Sequence, residues 1–339
     1  MKVTAKKPAL KLSFLEKIHP LNLDTEKQKF LFDPGYNPKF EYHEHIPPEE
    51  LLRHGAVSNK YLEAAVAILD AVIEEYGTES KYLREEQGAE LDREHSVEII
   101  EEFLKQNRLE NIVTLSFSSH FSARTALKRV GSNFVLQIRT PVQYREKSLR
   151  GMLNHEIGTH LFRWLNEMEQ PWFQNRKEFG LHQDYLVAEE GLASINNRLI
   201  QDKPYLWSQA LNYYLVYEGA QSSFAELNQK LKKYVDDPER RWRYCLKVKR
   251  GVEDTSMPLV FTKSQIYFLG SLQVLAWFLQ HDYLVDQLYL GKISLRDLPI
   301  AKQKSTHPPV LPAFLHARQS FIDKIDEMIT LNKLRRVLE

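Results

Sequence analysis

The chain is nearly without cysteine: Cys245 stands alone among 339 residues. A single thiol closes no internal disulfide, so the fold must hold without staples, which suits a reducing compartment and a cytoplasmic protein. Cys245 itself is expected to pack as a small hydrophobe. Charge of one sign is missing too. Forty-six Lys and Arg stand against 45 Asp and Glu, a formal net charge of +1. No excess calls for nucleic acid or an anionic membrane as partner. No apolar run approaches the length that spans a bilayer. The basic start, with Lys2, Lys6, Lys7 and Lys11, leads into no apolar stretch of signal-peptide length, so neither secretion nor insertion is expected. Those lysines read as a solvated, flexible end. Internal repeats and low-complexity tracts are absent as well.

What is there suffices for a sizeable core, with 43% hydrophobic and 11% aromatic residues. Residues 1–46, punctuated by Pro8, Pro20, Pro34 and Pro38, read as an irregular N-terminal segment. Residues 47–339 read as one domain. Pro47 and Pro48 with Glu49 and Glu50 mark a helix start, and an apolar stripe from Leu62 to Ile73 extends that helix to about residue 76. A second helix is expected over 96–107. Strands are expected over 112–117 and 134–140, with a basic stretch, 124–129, between them. Further helices are expected over 147–168, 184–200, 204–217, 221–235, 239–248, 263–280 and 317–337. The class is α+β, mostly helical, with a small sheet.

The densest chemistry lies in the helix over 148–167. It carries His155-Glu156-Ile157-Gly158-Thr159-His160, and Glu189 and Glu190 follow on a second helix. Two imidazoles, a carboxylate between them and another downstream are the ligands and base of a catalytic zinc site. The zincin spacing is H-E-x-x-H, with both His on one helix face; here the gap is one residue longer. On a regular α-helix, positions i and i+5 diverge by about 140°. A single π-turn restores convergence, and Gly158 inside the gap tolerates a distorted backbone. The spacing therefore predicts a wide turn near Gly158. Glu189 and Glu190 compete as third ligand, since neighbours on a helix point about 100° apart. A fourth position is left for water, with Glu156 as general base. His182 and Asp184 are candidates to orient ligands. His43 and His45 would share one side of a strand, but nothing nearby completes a ligand set.

The run from His155 to Trp164, with Gln170-Pro171-Trp172 and Glu189-Glu190-Gly191-Leu192-Ala193 beyond, resembles the microtubule-associated tyrosine carboxypeptidase family. Its bacterial relatives are known for a QEGLA motif and as modulators of flavohaemoglobin expression. The first motif position departs here, while its glutamate is Glu190. Supporting matches are Tyr36 to Tyr42, Lys249-Arg250-Gly251, and Phe261-Thr262-Lys263 leading to Tyr267 and Gly270. The resemblance covers roughly 36–330. It implies a zincin-like metallopeptidase core with an active-site helix, Zn2+ on His155, His160 and Glu190, and removal of a C-terminal residue, tyrosine in the namesake family. Glu189 then stands behind the ligands or in solvent. Tubulin as substrate follows only for a eukaryotic source.

An exopeptidase acting at a C-terminus must hold a free carboxylate, which Arg grips bidentately and Lys as a point charge. Arg139 is a candidate because it ends the expected edge strand, where a substrate backbone could add. Arg250 and Lys263 are candidates from the family-like segments. Tyr267, one turn beyond Lys263, is the candidate donor to an oxyanion. The expected partner is thus a protein or peptide C-terminus, with no nucleic acid and no membrane. Two alternatives remain at this level. One is another zinc peptidase, acting as an endopeptidase or a dipeptidyl peptidase; the longer His spacing also resembles that of dipeptidyl peptidase III. The other is a non-catalytic regulator on the same fold, which Glu156 argues against.

Overall fold

A computed structural model describes residues 12–121, 124–131 and 133–339. The expected solvated lysines, Lys2, Lys6, Lys7 and Lys11, and Pro8 lie outside the described residues. The chain is mostly helical with a small sheet, the α+β class expected. No helix among the described residues is long and apolar enough to cross a membrane. The chain divides into two compact units, Met1–Asn59 with Tyr214–Ser264, and Lys60–Tyr213 with Gln265–Glu339; the sequence reading put its division after residue 46.

In the first unit, residues 12–46 are less irregular than expected. Helices Phe14–Lys17 and Leu23–Phe32 lie within them, the first closed by a reciprocal cap between Ser13 and Glu16. The helix expected from 47 to 76 is interrupted. Pro48–Leu51 forms one turn, Gly55 takes a φ of 102°, and the helix resumes, in the other unit, only at Leu62–Tyr76. The sequence from His54 to Asn59 is turn chemistry that the apolar stripe conceals.

The family-like stretch Tyr36 to Tyr42 is tied down almost residue by residue. Buried Glu26 Oε2 accepts the Tyr36 hydroxyl and the Lys39 amide, both at 2.7 Å. Asn37 accepts the Ala225 amide at 2.9 Å, Pro38 the Thr255 hydroxyl at 2.8 Å, and Tyr42 the Gly251 amide at 2.7 Å. Phe40 packs with Phe224 and Trp242. Buried Lys249 donates to the carbonyls of Gly219, Ser222 and Met257 at 2.6–2.9 Å, and burial pushes its pKa down to about 8. Arg250 sets its guanidinium 5.2 Å over the Phe261 ring. These matches act as architecture in their own unit. Cys245 is buried and its thiol is pushed up to about 12, so it packs as expected.

The second unit holds both sheets. Strands β1 (Glu90–Leu91), β2 (Val113–Ser118), β3 (Thr125–Val130), β4 (Asn133–Arg139) and β5 (Tyr144–Arg145) form a two-stranded pair, β1–β5, and a three-stranded sheet ordered β2–β4–β3. β2 runs parallel to β4, and β3 antiparallel to it. β4 buries Phe134, Leu136 and Ile138 on one face. It is the central strand, which corrects the edge position expected for 134–140. The edges are β2 and β3, and the sequence of β3 reads as a basic connection. Lys128 and Arg129 are exposed there, and an edge strand tolerates charge that a central one would not.

Helix Leu186–Arg198 is buried along nearly its whole length. It crosses helix Ile266–Gln280 at Gly191 and Gly270. A Cβ on Gly191 would lie 2.1 Å from the Gly270 carbonyl carbon, so any side chain would force the helices apart. That crossing fixes the helix that carries Glu189 and Glu190.

Candidate metal centre

The active-site helix expected over 147–168 runs as three joined segments, Glu146–His155, Glu156–Leu161 and Phe162–Met168. The middle one is a π-turn: the Phe162 amide donates to the Ile157 carbonyl, five residues back. This is the wide turn the spacing predicts, and it brings the His155 and His160 ring centroids to 4.8 Å. The reason for Gly158 differs from the one expected. Its φ is not positive; a Cβ there would sit 2.5 Å from Phe314 Cε1, so the glycine makes room for that ring.

The π-turn is held from outside by a buried network. The Thr159 hydroxyl donates to the Asn154 carbonyl at 2.9 Å and the Tyr289 hydroxyl to the Gly158 carbonyl at 2.8 Å. Asn196 Nδ2 donates to Thr159 Oγ1 at 2.8 Å and to the Tyr289 oxygen at 2.9 Å. Sequence reasoning missed all three side chains. Thr159 lies inside the motif, but Asn196 and Tyr289 carry no local signal.

Glu190 Oε2 lies 3.6 Å from His155 Nε2 and 3.7 Å from His160 Nε2. The three ligand atoms all fall within 4.8 Å of one another. Tetrahedral zinc, with bonds of about 2.0–2.1 Å, spaces its ligands about 3.3–3.4 Å apart. The donor set therefore fits such an ion with only small side-chain movement.

Glu189 faces the other way. Its Oε1 meets His160 Nδ1 at 2.7 Å and Lys292 Nζ at 2.9 Å, and its Oε2 accepts from Arg163 at 2.6 Å. Burial alone would raise its pKa. The charges of Arg163 and Lys292 and the bond from His160 outweigh that and hold it well below the usual carboxylate range. Burial likewise lowers the His160 pKa, and Glu189, Glu190 and Glu156 outweigh it to give a net rise. An ionised Glu189 only accepts, so it fixes the proton on Nδ1 and leaves the Nε2 lone pair of neutral His160 towards Glu190. Arg163 is itself anchored on the Gly291 and Ile293 carbonyls at 2.9 and 2.8 Å. Neither Arg163 nor Lys292 was picked out from the sequence.

Glu156 is half-buried and has no hydrogen bond or ion pair among the described residues. It borders two cavities. One, of about 330 Å³, is polar and includes Arg124, Thr125, Arg198 and Gln201. The other, of about 380 Å³, includes Leu127, Arg129, His160, Trp164 and Lys292. Thr125, Leu127 and Arg129 alternate along β3, so one face of that strand runs past both.

Arg139 ends central β4 and lines neither cavity, and neither does half-buried Tyr267. Arg250 and Lys263 belong to the first unit. His182 and Asp184, expected to orient the ligands, group instead with Asp297. His182 Nδ1 meets Asp297 at 2.8 Å, and Arg296 clamps Asp184. His45 pairs with Glu253 at 2.9 Å.

No protein-family model matches the chain. Curated relatives do. "Putative tyrosine carboxypeptidase MATCAP2" of Mus musculus is 34% identical over 96% of this chain and 63% of its own length. "Microtubule-associated tyrosine carboxypeptidase 1" is 33% identical in Rattus norvegicus, over 94% of this chain and 68% of its own. The protein of that name in Homo sapiens is 31% identical over 98% and 70%. The chain belongs to the microtubule-associated tyrosine carboxypeptidase family. It spans 63% of the length of the mouse MATCAP2 protein, just under two thirds. In this member of the family the Glu189 to Ala193 run has a division of roles. Glu189 holds His160, Glu190 faces both imidazoles, and Gly191 admits the crossing helix.

Proposed function

We propose that the chain is a zinc-dependent metallocarboxypeptidase on a zincin-like core, removing a C-terminal residue from a protein or peptide. The observation that carries this is the convergence of His155, His160 and Glu190 across a π-turn, with Glu156 beside them. The relatives' names, tyrosine carboxypeptidase, support tyrosine as the residue removed.

A zinc ion held by those three residues would supply Lewis acidity, lowering the pKa of a water and polarising the scissile carbonyl. The chain's own residues do the rest. Glu156 takes the proton of the attacking water and hands it to the leaving amine, a role open to a carboxylate with no hydrogen bond or ion pair among the described residues. Glu189 keeps the His160 ring oriented against Arg163 and Lys292. The exposed edge of β3 offers an extended peptide a surface that runs past Glu156, with a cavity on either side.

The test is metal content of the purified protein and of Glu190→Ala, with mass spectrometry of peptides ending in tyrosine. About one zinc per chain, lost in the variant, together with removal of a single terminal residue only by the unmodified protein, is expected. A protein that binds no metal and trims no peptide ends this reading.

A further inference from the structure

Arg198 is only 8% exposed and ion-pairs with no carboxylate among the described residues. Its one hydrogen bond there runs from Nη2 to the Ser208 hydroxyl, and its Nε is buried without a partner. The other deeply buried guanidinia of this unit are served differently. Arg163 has Glu189 and two carbonyls, and Arg176 has Glu167 and two carbonyls. A buried cation without an anion is costly, and the carbonyl end of its own helix offsets only part of that.

Arg198 lines the polar cavity beside Glu156. A second guanidinium, that of Arg124, lines it too and lies 4.3 Å over the Tyr144 ring. Gln201 joins them, 3% exposed, with an Oε1 that has no partner among the described residues. Among the described residues Glu156 is the only carboxylate in the lining.

We propose that this cavity is a carboxylate subsite, with Arg198 as its buried guanidinium and Arg124 as its exposed one. Planar, forked donors suit a carboxylate better than any neutral group. That the carboxylate arrives on a peptide rests on the peptidase reading above. It comes either from the free C-terminus or from an acidic side chain near it. In this arrangement the terminal residue occupies the polar cavity and the preceding residues lie along Leu127 and Arg129. Arg198 and Arg124 then replace Arg139, Arg250 and Lys263 as the groups that hold the chain end.

Binding, not turnover, tests this. The Glu156→Gln protein is titrated with three dansylated peptides: Ala-Ala-Ala-Tyr as the free acid, the same peptide as the amide, and Ala-Ala-Glu-Tyr amide. The free acid is expected to bind about 10-fold or more tighter than its amide. Adding Arg198→Gln should reduce that ratio to about one, and Arg198→Lys, which keeps the charge without the fork, should restore only part of it. If instead the Glu-containing amide binds tighter than the plain amide, and loses this with Arg198→Gln, the subsite stands and its carboxylate is a side chain. Equal binding of all three peptides to protein with Arg198 intact overturns the proposal without relying on any variant folding. So does an acid preference that survives Arg198→Gln in a protein with an unchanged thermal melt. Carboxylate-dependent binding through Arg198 in a wild-type protein that cleaves nothing would sink the peptidase reading and leave the subsite.

Discussion

Among the described residues, two clusters in the second unit bring His and carboxylate ligand atoms within metal-binding range: His155, His160 and Glu190, and His182, Asp184 and Asp297. By inventory they are near equals; by surroundings they are not. In the second, buried Asp297 already accepts the His182 amide and its ring nitrogen, each at 2.8 Å. Exposed Asp184 is gripped by Arg296 at 3.0 and 3.1 Å. In the first, the cations stop one residue short. Arg163 and Lys292 take Glu189, while Glu190 turns to the two imidazoles. The position of the protein's own cations separates the cluster proposed to hold a metal from one already neutralised. The roughly 100° between helix neighbours is what lets two adjacent glutamates fall on opposite sides of that line.

The largest effect should come from the ligands themselves. His160→Ala or Glu190→Ala is expected to abolish zinc retention, while His182→Ala and Asp184→Ala leave zinc per chain unchanged. Glu156→Gln should keep the metal and lower turnover by about 10²–10⁴-fold, the usual contribution of a general base. Metal analysis of the five variants decides the contrast. If the His182 or Asp184 variant loses zinc as the Glu190 one does, the distinction between the clusters fails.

How much of this was legible in the chain follows from the range of each interaction. Of the apolar stripe Leu149, Met152, Leu153, Ile157, Leu161, Trp164 and Leu165, four members, Leu149, Leu153, Ile157 and Leu161, are fully buried and the other three half-buried, much as the periodicity predicts, because amphipathicity is local. The π-turn was legible because two His on one ion leave few backbone solutions. β3 was not, since an exposed edge strand carries the charges of a loop. The companions of Glu189 were not either: Arg163 is close in sequence, but Lys292 lies more than a hundred residues away. Arg198 carries no signal in the sequence. Only its burial, and the lack of an ion-paired acid among the described residues, set it apart.

A smaller effect is expected one step out from the ligands. Glu189→Gln removes the anion that orients His160, and zinc affinity should fall about 10- to 100-fold. Asp297→Asn, the matching change in the second cluster, should leave affinity alone. The metal-free protein gives a second reading. Glu189 is held below its ordinary 4.5, so it contributes stability above about that pH and loses it as the pH falls through its folded value. His160 is raised above 6.5, so its contribution is complete below that pH and is lost as the pH rises through the folded value. Chemical denaturation should therefore find this pair most stabilising between about pH 4.5 and 6.5, with a flatter profile in Glu189→Gln. Identical profiles would mean that Glu189 is not tuned by its partners.

The smallest effect should come from Tyr289→Phe, and it asks what sets the His spacing. The change removes the donor to the Gly158 carbonyl and one acceptor of Asn196, while Asn196 keeps Thr159. A loss of about 1–2 kcal/mol in denaturant stability is expected for one buried hydrogen bond left partly unmade. If Phe314 over Gly158 and the packed helix already enforce the π-turn, zinc affinity should change by less than about threefold, because ligand distance is then set by close packing and not by the hydroxyl. A much larger loss of affinity, with stability barely altered, would reverse that order. The Thr159–Asn196–Tyr289 network would then be the element that holds the two imidazoles together, and the second cluster, whose carboxylates are held by ion pairs, would be the poorer guide to the first.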